Sequence, residues 1–168
     1  MEKKKLSLTF RMLRALGLNY SEEEYGQVSL WKVVKRVAKT YRDGFLLKYM
    51  MNSWILSPIS PRKLRPWVLR KIGCSVGKDV FIGDSVKVDS GHADLIFIED
   101  HVHIAGGTRL LCHQRDLSDY KVGDDYAKLG YTLKPIVLKK GCLVGMESFV
   151  FPGVTIGEGA IVGAGSLV

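Results

Sequence analysis

Cysteine, proline and long apolar runs are all scarce in this chain, and each scarcity removes a class of protein. Cys74, Cys112 and Cys142 are odd in number, widely spaced and form no CxxC pair. They give no disulfide framework of the kind a small secreted domain needs. No stretch reaches the roughly 18–20 uninterrupted apolar residues of a bilayer span. Lys48 and Asn52 interrupt the best candidate, Phe45 to Leu56. The lysines at the start are not followed by an apolar segment long enough for a signal peptide, so the expected location is the cytoplasm. No nucleic-acid motif accompanies the positive charge, and nucleic acid is not an expected partner.

That charge is unevenly placed. Residues 1–71 hold sixteen Lys and Arg against five acidic residues, a net of +11 within a total of +8, which leaves −3 for residues 72–168. The basic part reads as helices. Leu6 to Leu16 is amphipathic and ends at Gly17. Ser29 is placed to cap a helix from Leu30 to about Asp43, with Gly44 as a stop. Pro58 and Pro61 break the apolar stretch after it, and Arg62 to Lys71 interleaves cations with Trp67, Val68 and Leu69. Three uses compete for this basic segment: a solvated helical cap on the following domain, a helix on an anionic membrane surface, or phosphate binding.

The remainder carries a rhythm of six. Aliphatic residues recur at Leu138, Val144, Val150, Ile156, Val162 and Val168, and the same frame appears upstream at Val76, Ile82, Val88 and again at Ile98, Ile104, Leu110. Small or β-branched residues follow four places later at Cys142, Ser148, Val154, Ala160 and Ser166. A six-residue period fits neither a helix nor an alternating strand. It is the signature of a parallel β-helix, in which each hexad forms one face of a coil and the aliphatic points inward. Each coil buries its apolar row by stacking on the next. Three hexads per turn predict about four coils. The frame slips between Val88 and Ile98, which places a short insertion near Gly91 to Leu95. It breaks for longer from about Gln114 to Ile136, a polar stretch expected to be a functional loop.

Histidines are the candidate chemistry. His113 lies directly before the long loop at an outward position. A neutral imidazole there can take a proton from a hydroxyl near neutral pH. His92 occupies the place of a small inward residue, so it is either a core or interface group or a second catalytic histidine. His101 and His103 read as surface residues, Cys142 as a small core residue, and Cys112 beside His113 as a minor candidate nucleophile.

Leu110-Leu-Cys-His-Gln-Arg-Asp-Leu117, Lys134-Pro-Ile-Val-Leu138 and the run from Phe151-Pro-Gly-Val-Thr-Ile-Gly to Gly163-Ala-Gly-Ser-Leu-Val168 resemble the hexapeptide-repeat acyltransferases. The resemblance covers about Ile72 to Val168. It is closest to the bacterial sugar O-acetyltransferases of capsule, O-antigen and exopolysaccharide synthesis, and similar to the maltose and galactoside acetyltransferases. It implies a mainly β fold, a left-handed parallel β-helix over 72–168 assembled as a homotrimer, which follows the α-helical extension read over 1–71. It implies acetyl-CoA as co-substrate without a metal and a sugar as acceptor, and the basic, aromatic N-terminal region points to a lipid-linked glycan as one form of that acceptor. His113 would be the general base, Asp116 would orient it or bind acceptor hydroxyls, and His92 is the further catalytic candidate. Gly145, Met146, Gly163 and Ala164 would contact the pantetheine arm, Met146 standing where the family has a small residue. Family members usually continue past the position of Val168, so the C-terminal cap is expected to be missing. The alternatives are a serine, aminosugar or antibiotic acetyltransferase, or a non-catalytic β-helix scaffold if the chain is a truncated form. Peripheral contact of residues 1–71 with the inner face of an anionic membrane is the further expectation.

Overall fold

The computed structural model describes residues 6–17, 26–52, 55 and 61–168. The chain forms two compact units, Met1–Gly44 and Phe45–Val168, so the boundary expected at Ile72 falls inside the second. The break expected at Pro58 lies outside the described residues.

Helix α1 (Leu8–Ala15) begins where the Ser7 hydroxyl accepts the Phe10 N–H at 3.1 Å. Helix α2 (Leu30–Phe45) begins where the Ser29 hydroxyl accepts the Lys32 N–H at 3.3 Å. Such caps satisfy amide groups that have no intrahelical partner. The stop expected at Gly44 does not occur. A glycine ends a helix by turning left-handed, and Gly44 does not take a positive φ. The chain continues into a π-helical turn at Leu46–Met50, whose Leu46, Leu47 and Met50 pack against the core of the second unit.

The second unit is a left-handed parallel β-helix. Thirteen short strands are described. β1 (Ser75–Val76), β4 (Ile96–Ile98), β9 (Ile136–Leu138) and β12 (Thr155–Ile156) stack into one face. β2 (Phe81–Ile82), β5 (His103–Ile104), β10 (Leu143–Val144) and β13 (Ile161–Val162) form the second, and β3 (Lys87–Val88), β6 (Arg109–Leu110) and β11 (Phe149–Val150) the third. The register follows the hexad frame. Val76 lies beside Ile98, Leu138 and Ile156; Ile82 beside Ile104, Val144 and Val162; Val88 beside Leu110 and Val150. Ile98, Ile104, Leu110, Leu138, Val144 and Val150 are buried, with Val102, Thr108, Cys142 and Ser148 filling the corners between faces.

Two interruptions leave this frame. Ser90–Leu95 forms a 3-10 turn between the first and second coils. The long break after Leu110 is a hairpin rather than a plain loop: β7 (His113–Arg115) pairs antiparallel with β8 (Tyr131–Leu133). Ile136, expected at the end of that loop, is instead a buried residue of β9.

The turn after nine of the strands repeats too. The third residue beyond the inward aliphatic is left-handed at Asp79, Ser85, His101 and Glu147, and in the same place at Gly107, Gly141, Gly153, Gly159 and Gly165. Added methyl groups at Gly141 and Gly157 would both meet open space, but only Gly141 has a positive φ, of 68°. Gly141→Ala is therefore expected to cost about 1–2 kcal/mol in urea unfolding, and Gly157→Ala less than about 0.5 kcal/mol. Equal losses would refute a backbone origin.

The basic segment after Pro61 closes the first coil. In the stack, amides of each coil donate to carbonyls of the next, as Gly77 does to Ile98 and Gly83 to Ile104. The first coil's own carbonyls therefore lack donors from a preceding coil. Helix α3 (Leu64–Ile72) lies over this end, with Val68, Leu69 and Ile72 buried in the same core as Val80 and Ile82. Its arginines supply the missing donors. Arg65 donates to the carbonyls of Ile82 and Met51, both at 3.1 Å, and Arg70 donates to those of Val76, at 2.9 Å, and Gly77. Arg62, just before the helix, donates to the Asp79 carbonyl at 3.0 Å. Exposed strand edges invite pairing with other chains, and here guanidinium groups occupy one.

Candidate active site

The third face ends each of its strands with an outward residue. On the first coil that residue is Asp89, directly after Val88; on the second coil it is Leu111, after Leu110. The Asp89 amide donates to the Leu110 carbonyl at 3.0 Å, which sets the two coils in register. Two residues on, Cys112 is drawn fully into the core, and alternation then turns His113 outward onto β7.

This register brings together residues 24 positions apart. His113 Nδ1 is hydrogen-bonded to Asp89 Oδ2. The Asp89 side chain is only 6% exposed and that of His113 is 39% exposed. With Asp89 ionised, Nδ1 carries the proton and donates it, leaving the Nε2 lone pair free. That is the tautomer a general base needs. His92, carried out of the frame by the insertion, places its ring 5.6 Å from that of His113. Its amide donates to the Asp89 carbonyl at 3.1 Å. Tyr131 of β8 meets the His113 ring edge-on at 5.5 Å. Arg115 lies over Tyr131, 4.1 Å from the ring centroid, and donates to the carbonyls of Ala127 and Leu129, so the inserted hairpin is fastened beside the imidazole.

Asp116 is not part of this cluster. Its exposed carboxylate accepts the Ser118 N–H at 3.0 Å, a bond that holds its pKa below the ordinary carboxylate value. The carboxylate hydrogen-bonded to His113 is Asp89, which the sequence reading missed. His101 occupies one of the left-handed turn positions. His103 stacks on Phe81, with ring centroids 4.0 Å apart, and burial, then Arg62, lowers its pKa. Cys112 is unsuited to nucleophilic work, because burial pushes its thiol up to about 11. Cys142 is likewise raised to about 11 and Cys74 to about 12, both chiefly by burial.

Gly145, Met146, Gly163 and Ala164 lie together but elsewhere, in the turns that follow β10 and β13. A methyl added to Gly145 would sit 2.5 Å from the Ala164 nitrogen and 2.6 Å from the Gly163 carbonyl carbon, so the two turns are stacked in direct backbone contact. The Gly145 carbonyl accepts the Thr108 hydroxyl at 3.1 Å, and its amide donates to Val162 at 2.9 Å. That amide is occupied and is not a free oxyanion donor. Met146 is exposed. These turns separate the second face from the third, whereas His113 follows the third, so a single chain carries the two groups on different edges of its prism. An open cleft of about 360 Å³ beside Gly77, Glu99, Asp100 and Lys140 lies on the remaining edge, a different edge from that of His113.

Asp89, His92 and His113 also present ligand atoms within 4.8 Å of one another. Two imidazoles and a carboxylate are a donor set that zinc accepts. The direct Asp89–His113 hydrogen bond is the alternative use of the same atoms.

Stacked hexad coils with an inserted hairpin define a β-helix protein of the hexapeptide-repeat class. Residues 135–168 match the hexapeptide repeat of succinyl-transferase. Over 149 residues, 79% of this chain and 82% of the relative, the sequence is 30% identical to a protein of Escherichia coli (strain K12) provisionally named colanic acid biosynthesis acetyltransferase WcaF. It is 26% identical over 146 residues to the provisionally named acetyltransferase YvoF of Bacillus subtilis (strain 168), covering 85% of this chain and 75% of that one. The chain belongs to the hexapeptide-repeat acetyltransferase family that includes WcaF. Two solved structures share the fold, each with a TM-score of 0.55 and 18% identity. One is a maltose O-acetyltransferase of Clostridium difficile 630, covering 83% of this chain and 78% of that one. The other is a hexapeptide-repeat acetyltransferase of Vibrio cholerae complexed with acetyl coenzyme A, covering 97% and 87%.

Proposed function

We propose that this acetyltransferase moves an acetyl group from acetyl-CoA to a sugar hydroxyl during synthesis of a bacterial capsule, O-antigen or exopolysaccharide. The observation that carries the reading is the Asp89–His113 pair, with Nε2 left free. His113 removes the hydroxyl proton as the oxygen attacks the thioester carbonyl. The thiolate of CoA leaves and is protonated as the tetrahedral intermediate collapses. Asp89 holds the ring in the reactive tautomer and faces the imidazolium that forms. His92 stands close enough to meet the acceptor or the same proton. The stacked turns at Gly145, Met146, Gly163 and Ala164 are the proposed pantetheine groove. Because they occupy a different prism edge from His113, a homotrimer would complete each site by setting the histidine of one subunit against the groove of the next. The relative named for colanic acid biosynthesis supports an exopolysaccharide acceptor.

The test follows CoA release from acetyl-CoA with a panel of acceptors: nucleotide sugars, lipid-linked oligosaccharides, aminosugars and serine. Turnover is expected with a hydroxyl-bearing sugar and to survive dialysis against EDTA unchanged. Turnover confined to serine or to amines would replace the acceptor class. Activity lost to EDTA and restored by zinc would replace the base mechanism with a metal one.

A further inference from the structure

The basic segment resolves into two uses. Arg62, Arg65 and Arg70 close the end of the β-helix. The cations of α2 do something else. Around this helix, Leu30, Val33, Val34, Val37, Ala38, Tyr41 and Phe45 fall on one side at a period of 3.6. Lys32, Lys35, Arg36, Lys39 and Arg42 fall on the other. The apolar side is not turned into a core. Leu30, Trp31, Val34, Val37, Tyr41 and Phe45 are all exposed, Tyr41 by 77%. The single acidic residue, Asp43, is buried and paired with Arg42 at 2.7 Å. Lys35 stands over the Trp31 ring at 5.3 Å, at the border between the two sides. In the same unit, α1 exposes Leu8, Met12 and Leu16 beside Arg11 and Arg14.

We infer that α2 is a docking helix for an anionic lipid surface, lying in the interface with Leu30, Val34, Val37, Tyr41 and Phe45 among the acyl chains and its cations among the headgroups. Charge complementarity selects this occupant. A helix of modest mean hydropathy, with Leu, Tyr and Phe on one face, Trp31 at its border and only Lys and Arg net on the other, matches the interfacial class. At 16 residues it is about 24 Å long, and no helix among the described residues is long and apolar enough to cross a membrane. The inference is independent of which acceptor the site takes.

The experiment is flotation of the full chain with vesicles of phosphatidylglycerol and phosphatidylcholine in a 3:7 ratio, and with pure phosphatidylcholine, at low salt. Binding is expected to the anionic vesicles alone and to fall as salt rises. Each basic residue near such a surface contributes a factor of about five in partitioning. The exposed triple variant K32E/K35E/K39E is therefore expected to lose at least about 100-fold, and V34D/V37D/Y41D to lose binding as well. Equal affinity for both vesicle types, or binding that survives either variant, would overturn the inference. So would failure to float combined with a smaller oligomer for V34D/V37D/Y41D in lipid-free solution, which would assign the stripe to a second copy of the chain. Duplex DNA binding that outcompetes vesicles and ignores the apolar variant would assign the cations to nucleic acid.

Discussion

His113→Ala is expected to lower kcat by about 10²–10⁴, the usual contribution of a general base, while acetyl-CoA still binds. An alcohol is a poor nucleophile without a base, and the free Nε2 of His113 is the one proton acceptor that the Asp89 bond aims outward. The proposed acetyl-CoA groove lies on the turns after β10 and β13, so calorimetry should find thioester affinity nearly unchanged. Asp89→Asn sharpens the test. The amide has the same shape but no charge, and its NH₂ group can donate to Nδ1, which would leave the proton on Nε2 and make the base useless. A fall approaching that of His113→Ala is expected. The double variant should be little worse than either single one, because the two residues act as a unit. Full turnover in His113→Ala would remove the histidine from the mechanism. Full turnover in Asp89→Asn would reduce the pair to a packing contact.

Arg65→Met is expected to destabilise the protein by about 3 kcal/mol, read as a lower urea midpoint with unchanged slope. The guanidinium side chain is only 10% exposed, and it serves the Ile82 and Met51 carbonyls as well as Asp84. Methionine keeps the apolar stem but leaves two carbonyls without that donor, each costing about 1–3 kcal/mol when buried. The Asp84 pair matters less, since its carboxylate is 71% exposed and exposed pairs contribute at most about 1 kcal/mol. Asp84→Ala should therefore cost much less than Arg65→Met. The reverse order would mean that the ion pair, rather than the capped carbonyls, holds the first coil closed.

The coils were legible from sequence because the inward position of a β-helix admits little but aliphatic residues, and Val76, Ile98, Leu138 and Ile156 stack in the register that the hexad count gives. The site was half legible. His113 could be found by its place before the break. Asp89 leaves no local mark in the sequence as a partner of His113, whereas Asp116 stands out only because it lies three residues further along the chain. The frame did contain the answer: pairing Val88 with Leu110 puts Asp89 beside Leu111 and within reach of His113. Hexad counting places side chains one coil apart, whereas motif reading places only neighbours along the chain. His92 was ambiguous for the same reason, as an insertion removes a residue from the frame that would define its direction. The arginine closure was hidden because carbonyl donors leave no periodic trace; only the missing preceding coil creates the demand. The stop at Gly44 failed because glycine permits a left-handed turn without requiring one.

The burial of all three thiols gives the protein a property useful beyond catalysis. Cys74 follows α3 at the base of the stack, Cys112 sits under the inserted hairpin and Cys142 belongs to the third coil, each buried and raised to about 11 or 12. Thiolate is the reactive form, so the native chain should be nearly silent toward a thiol reagent at neutral pH. Released CoA can then be titrated against almost no background. In denaturant the same three positions become reporters, and the order in which they are labelled would show whether the solenoid frays from its arginine-capped base, from beneath its hairpin, or from its upper coils.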